Sequence, residues 1–133
     1  MKKTPLYGGE IIMANVGSIG KVYRTPKGYK GLMTLAPNTY MIKFNLSIEE
    51  DFIFQVMLTT KFKNKLLSMV GSSTLKAINK SNLRSIKINI PQIDEQQKIA
   101  FFLNGVDKKI ALVETQIQQS KTFKKGLLQQ MFV

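Results

Sequence analysis

The sequence predicts an α+β fold: a small mixed sheet with a short helical segment, followed by a long C-terminal helix that pairs as a coiled coil. Three observations carry this. Apolar and polar residues alternate in short runs up to about residue 45, apolar residues recur at helical spacing from 48 to 70, and a heptad pattern starts at Ile99.

Glu10–Ala14 (EIIMA) and Ile19–Thr25 (IGKVYRT) read as short strands flanking Asn15-Val16-Gly17-Ser18, and the glycine-rich Gly17-Ser18-Ile19-Gly20 reads as a hairpin or loop turn. Ile42 and Phe44 alternate with Lys43 and Asn45, which predicts a strand over Thr39–Asn45. Leu32–Ala36 is a further candidate, and Pro26, Gly28, Gly31 and Pro37 mark turns. Ser47 and Glu50 form a candidate capping box. Behind it, Phe52, Val56, Met57, Phe62, Leu66 and Met69 predict one or two helices over 48–70, with Gly71 as C-cap. Residues 71–80 read as a polar, basic loop. Ile86, Ile88 and Ile90 alternate with Lys87 and Asn89 as a half-buried strand stopped by Pro91.

Asp94 and Gln97 form a second candidate capping box. Apolar residues then fall at Ile99, Leu103, Val106, Ile110, Val113 and Ile117, with spacings alternating between four and three, and the seam resumes at Leu127 and Met131. One continuous helix over 94–132 is about 58 Å long at 1.5 Å per residue. So small a domain cannot cover all of it. The seam is expected to meet another chain, or to fold back in a hairpin near Gly105 or Gly126; packing wholly on its own domain is the alternative.

Composition narrows the function. The 133 residues hold 20 Lys+Arg against 8 Asp+Glu, a net charge of +12, with no Cys and no His. Disulfides, zinc fingers, thiol nucleophiles and imidazole acid–base chemistry are excluded together. The N-terminus lacks the apolar stretch of a signal peptide, and no apolar run approaches the length of a membrane span, so a cytoplasmic, soluble protein is expected. Residues 1–91 carry fourteen basic and four acidic residues, whereas 92–133 carry six and four. The division points to a DNA-facing part at 1–91 and a helix for dimerisation and docking at 92–133, because a basic surplus suits a polyanion such as double-stranded DNA.

Two groups of residues are candidates for DNA contact: Lys21, Arg24, Lys27 and Lys30, interleaved with Tyr23 and Tyr29; and Ser72, Ser73, Thr74, Lys76, Asn79 and Lys80. Lysine and arginine neutralise phosphates, while hydroxyl and amide side chains hydrogen-bond phosphates or base edges. The glycine turn lacks the length and the Lys-Ser/Thr ending of a phosphate loop. Asp94, Glu95 and Lys98 resemble a nuclease cluster only superficially, since acids in a first helical turn serve the helix itself. No general base or nucleophile stands out. The chain is therefore expected to be non-catalytic, with neither metal nor cofactor of its own.

The run GSSTLKAINKSNLRSIKINIPQIDEQQKIAFFL (71–103), continued by Asp107, Ile110 and KKGLLQQMF (124–132), resembles the specificity subunits of type I restriction–modification enzymes. Pro91, Glu95-Gln96 and Lys98-Ile99 match the family pattern, and Gly17–Gly20 with Val22 looks like its Gly-x-Ile-Gly turn. Gln92 stands where the family often has a second proline. The resemblance implies target recognition domains that each read half of a split DNA site, and helices that pair to set the distance between halves. It also implies docking of methyltransferase subunits, which use S-adenosylmethionine, and then of restriction subunits. Family members carry two such units, whereas this chain has one, and it begins late, so the front of a recognition domain is expected to be missing before Gly9. Three readings follow: a self-associating half-length specificity subunit; an assembly module that binds the methyltransferase subunit without sequence-specific DNA reading; and a general nucleic-acid binder.

Overall fold

The computed structural model describes residues 4–29, 31–44, 47–70 and 76–132. Its centre is a three-stranded antiparallel sheet in which β2 (Ile11–Ala14) lies between β3 (Val22–Arg24) and β5 (Thr39–Ile42). A second antiparallel pair joins β1 (Pro5–Leu6) to β4 (Met33–Thr34). The α+β class stands, and the sheet expected to be mixed resolves into two antiparallel ones.

Register decides which side chains face inward. Ile11 lies opposite Arg24 and Ile42, and Met13 lies opposite Val22 and Tyr40. Opposed residues project to the same face, so these six side chains share one face, and Ile12, Tyr23 and Met41 share the other. The first face carries the core. Ile11, Met13 and Val22 are buried there with Phe52, Ile53, Met57, Phe62 and Leu66 of the covering helices.

The β2–β3 connection shows why the second strand is shorter than predicted. Ile19 belongs to the turn, where its buried side chain plugs the core, and Gly17 and Gly20 take φ of +70° and +78°. A Cβ on Gly20 would lie 2.8 Å from Leu66 Cδ2, so the turn rests directly on the helix beneath it.

The helical segment divides into α1 (Glu50–Leu58) and α2 (Thr60–Leu67). Thr59, extended between them, closes the first and opens the second. Its N–H donates to Val56 O, and its Oγ1 accepts from Phe62 N. The predicted box at Ser47 does not form. Glu49 is the N-cap, accepting from Asp51 N, because its own N–H is held by Gln96 Oε1 at 3.0 Å. Ser68 is the C-cap of α2; Gly71 lies outside the described residues.

Two readings between 76 and 91 are corrected. The predicted loop ends in a helix, α3 (Lys80–Arg84), capped by Asn79 Oδ1 accepting from Asn82 N at 2.7 Å. The isoleucine strand is not a strand: Ile86 and Ile88 are half-buried and Lys87 and Asn89 exposed, without ladder pairing among the described residues. Alternation there records one-sided burial of extended chain, which does not itself require a partner strand.

The final helix, α4 (Ile93–Met131), runs unbroken for 39 residues. Gly105 and Gly126 lie within it, so no hairpin forms, and a Cβ on either would meet nothing within 4 Å. The predicted capping box is displaced. Gln92 is the N-cap without a side-chain bond, and Asp94 already belongs to the first turn. Nearby, buried Gln96 supplies the anchorage, donating to Pro91 O at 2.8 Å while accepting from Glu49 N.

Glu10 fastens the edge of the sheet. It accepts from Thr25 Oγ1, Tyr7 N and Gly8 N, and these bonds, that from Thr25 foremost, lower its pKa from 4.5 to about 2. A lowered folded-state pKa contributes stability that is present above 4.5 and is lost as pH falls toward 2. Glu10→Gln is therefore expected to unfold at lower urea than the native chain at pH 7. The gap should narrow below pH 4.5 and close near pH 2; a gap constant across pH 2–7 would contradict this assignment.

Candidate nucleic-acid interface and helix seam

The acids of the first 91 residues are all engaged at one end of the fold. Glu10 holds the β1–β2 connection, Glu49 caps α1, and Glu50 and Asp51 bind Arg24. The two ends of β3 consequently differ in charge. Lys21 immediately precedes β3 and Arg24 is its last residue, so the two stand about 10 Å apart along it.

Arg24 points inward, on the face shared with Val22. Its side chain is only 16% exposed. It donates to Gly9 O at 3.1 Å, pairs with Asp51 and Glu50, and lies over the Phe54 ring at 6.0 Å. Its charge is neutralised inside the fold. Lys27, 69% exposed, extends toward Asp51 at 3.8 Å, a loose pair open to solvent.

At the other end, the Gly17–Gly20 turn meets the segment after residue 75. Val16 bridges Ala77, Gly17 N donates to Lys76 O at 3.3 Å, and Ile78 N donates to Asn15 O at 2.9 Å. Tyr40 OH bonds Ile78 O at 3.1 Å, and Lys80 Nζ stands 5.7 Å from the centre of the Tyr40 ring. Lys21 of the first group read in sequence is thus brought beside Lys76 and Lys80 of the second. Lys21, Lys76 and Lys80 are exposed on one end of the sheet, and among the described residues no carboxylate forms an ion pair with them. Asn79 is present too, with its carbonyl oxygen occupied as a helix cap. Lys30, Ser72, Ser73 and Thr74 lie outside the described residues. Within those residues, no cluster of three or more potential metal ligands exists, and no helix is long and apolar enough to cross a membrane.

The predicted seam of α4 separates into two parts. Ile99 packs partly buried against the core and Leu103 is half-buried, whereas Val106, Ile110, Val113, Ile117, Leu127 and Met131 are all exposed. At 100° per residue, the side chains that meet α1 (Gln96, Ala100, Asn104, Asp107) centre roughly 100° around the helix from Val106–Ile117. Ile99, which packs on the core, lies on the same line as Val106–Ile117, so the bare seam continues one edge of the docked face beyond the end of the body. A second exposed line, Phe101, Leu112 and Phe123, lies on yet another side.

Sequence reasoning missed Asp51, Asn104 and Tyr40. Asn104 Nδ2 donates to Asp51 Oδ2 at 2.9 Å, across 53 positions of sequence. No local pattern signals such a pair.

The sequence model of the family described as "Type I restriction modification DNA specificity domain" matches residues 1–121. A protein of Methanocaldococcus jannaschii, assigned as a type I restriction enzyme MjaX specificity subunit, is 26% identical over 130 residues, which cover 93% of this chain and 30% of that relative. The chain thus spans less than a third of the length of that relative.

Proposed function

Because the chain belongs to the family of type I restriction–modification DNA specificity domains, we propose that it is a non-catalytic DNA-recognition unit of such a system. It binds double-stranded DNA through the basic end of its sheet and pairs through α4. The observation that carries this reading is the sorting of charge along β3. Acids gather around Arg24 and the start of α1, while Lys21, Lys76 and Lys80 stand together at the glycine turn. Cations without a carboxylate partner among the described residues, close to the family's turn motif, are available to phosphates.

The bare face of α4 supports the second half of the reading. Two copies joined along Val106, Ile110, Val113 and Ile117 form a two-fold dimer with two like DNA faces at a fixed separation, an arrangement suited to a palindromic split site. Methyl transfer with S-adenosylmethionine, and DNA cleavage, fall to methyltransferase and restriction subunits docked on the helices, in the cytoplasm.

Methyl transfer tests the whole reading. Mixed with a methyltransferase subunit of the family that it binds, the chain is expected to direct methylation of a random DNA library to one bipartite sequence. Methylation spread evenly over the library, or no association with any such subunit, would overturn the proposal.

A further inference from the structure

The contact between α4 and the rest of the chain, made chiefly with α1, is mixed in character. Its apolar part is Ile99, Ala100 and Leu103, and of these only Ala100 is fully buried. Apolar contact is non-directional, and a helix held by it alone can roll or tilt at little cost. Hydrogen bonds are directional, and buried polar contacts can specify geometry more than they stabilise it. Asp51 is placed where this distinction matters. Its Oδ1 meets the Arg24 guanidinium from β3, and its Oδ2 accepts from Asn104 Nδ2 of α4. One carboxylate in the first turn of α1 therefore bonds both the sheet and the long helix. Gln55 Nε2, bonded to Asp107 at 2.7 Å one turn further along α4, is the outermost polar tie.

Beyond Asp107, 24 residues of α4 extend away from the body, a lever of about 36 Å. A tilt of about 10° at the tie moves the tip by about 6 Å, close to two steps of the DNA axis at 3.4 Å each. We propose that the Arg24–Asp51–Asn104 relay is the positioning device that fixes the angle of α4 to the DNA-facing sheet, and through it the spacing of half sites the dimer accepts. The consequence for spacing rests on the function proposed above; the angle does not.

The lack of native cysteine makes the angle directly measurable. Lys61→Cys on α2 and Lys121→Cys on α4, spin-labelled and diluted with unlabelled chain so that only distances within one chain are read, report it by pulsed electron resonance. The native relay is expected to give one narrow distance distribution. Asn104→Ala and Asp51→Ala should shift or broaden it by about 4 Å, the lever's amplification at residue 121 of a tilt near 10°. Asp51→Asn, which keeps an acceptor for Asn104, should disturb it less. Asn104→Asp, which sets a like charge against Asp51, should disturb it most. A residue of merely structural importance would lower the urea midpoint without moving the distance. Distributions unchanged in both Asn104 variants would overturn the relay. If the distances move while the preferred half-site spacing on DNA does not, the relay stands and the spacing role in the proposed function fails.

Discussion

Ile110→Lys is expected to convert the protein from a dimer into a monomer at tens of micromolar in sedimentation equilibrium, with its helix content unchanged. Ile110 is half exposed in the protomer, so lysine there meets water and disturbs no core packing. In a paired seam the same position is the centre of the longest apolar run, between Val106 and Ile117. Leaving a charge unpaired in such a site costs about 3–5 kcal/mol, and snorkelling of the lysine stem brings the cost toward the lower figure. At 1.4 kcal/mol per decade, Kd rises by about two decades or more. The contrast is Leu112→Lys. Leu112 is at least as exposed as Ile110 but lies well around the helix from the seam, so its variant should remain dimeric. A native chain that is monomeric at tens of micromolar, or equal dissociation by both variants, would rule out pairing along this seam.

The seam also shows what the sequence could and could not convey. The bounds of α4 were legible to within about a residue because a periodic pattern sustained over many turns leaves little ambiguity. The break at Thr59 fell within a segment already read as one or two helices. Helix starts were misjudged at Ser47 and at Asp94 for one shared reason. Gln96, buried by tertiary packing, holds the N–H of Glu49 and the carbonyl of Pro91, and so decides where both helices begin. A local capping rule cannot see a partner 47 residues away. The same limit hid the Asp51–Asn104 bond. Ile86 and Ile88 betrayed their partial burial but not their lack of a pairing strand among the described residues, and Ile90, apolar in the same alternation, is exposed. Ile99 continued the heptad in sequence while packing on the protein's own core, since the period records which residues are apolar and not what covers them.

Replacing Lys21, Lys76 and Lys80 together by alanine should flatten the salt dependence of DNA binding, reducing the slope of log K against log salt by about 2.7, or 0.9 for each phosphate no longer neutralised. By the same relation, affinity at about 0.1 M salt falls by about 500-fold. Folding should be spared, because all three side chains are exposed and Lys80 adds only a peripheral interaction with Tyr40. Arg24→Ala is expected to do the reverse. Although it stood among the candidate DNA-binding residues on sequence, its guanidinium is committed to Asp51, Glu50 and Gly9 O, and its removal leaves Asp51 short of a partner at the junction of α1 and β3. The urea midpoint should drop while the salt slope of the folded fraction stays within error of native. Lys27 falls between the two, since a phosphate competes with Asp51 for its ammonium group. The pair of measurements discriminates sharply, because charge deletion alone cannot produce opposite patterns in Arg24 and in the three lysines. An unchanged slope in the triple variant would move the DNA face away from the glycine turn. A slope diminished equally in Arg24→Ala would mean that DNA is read from the other end of β3.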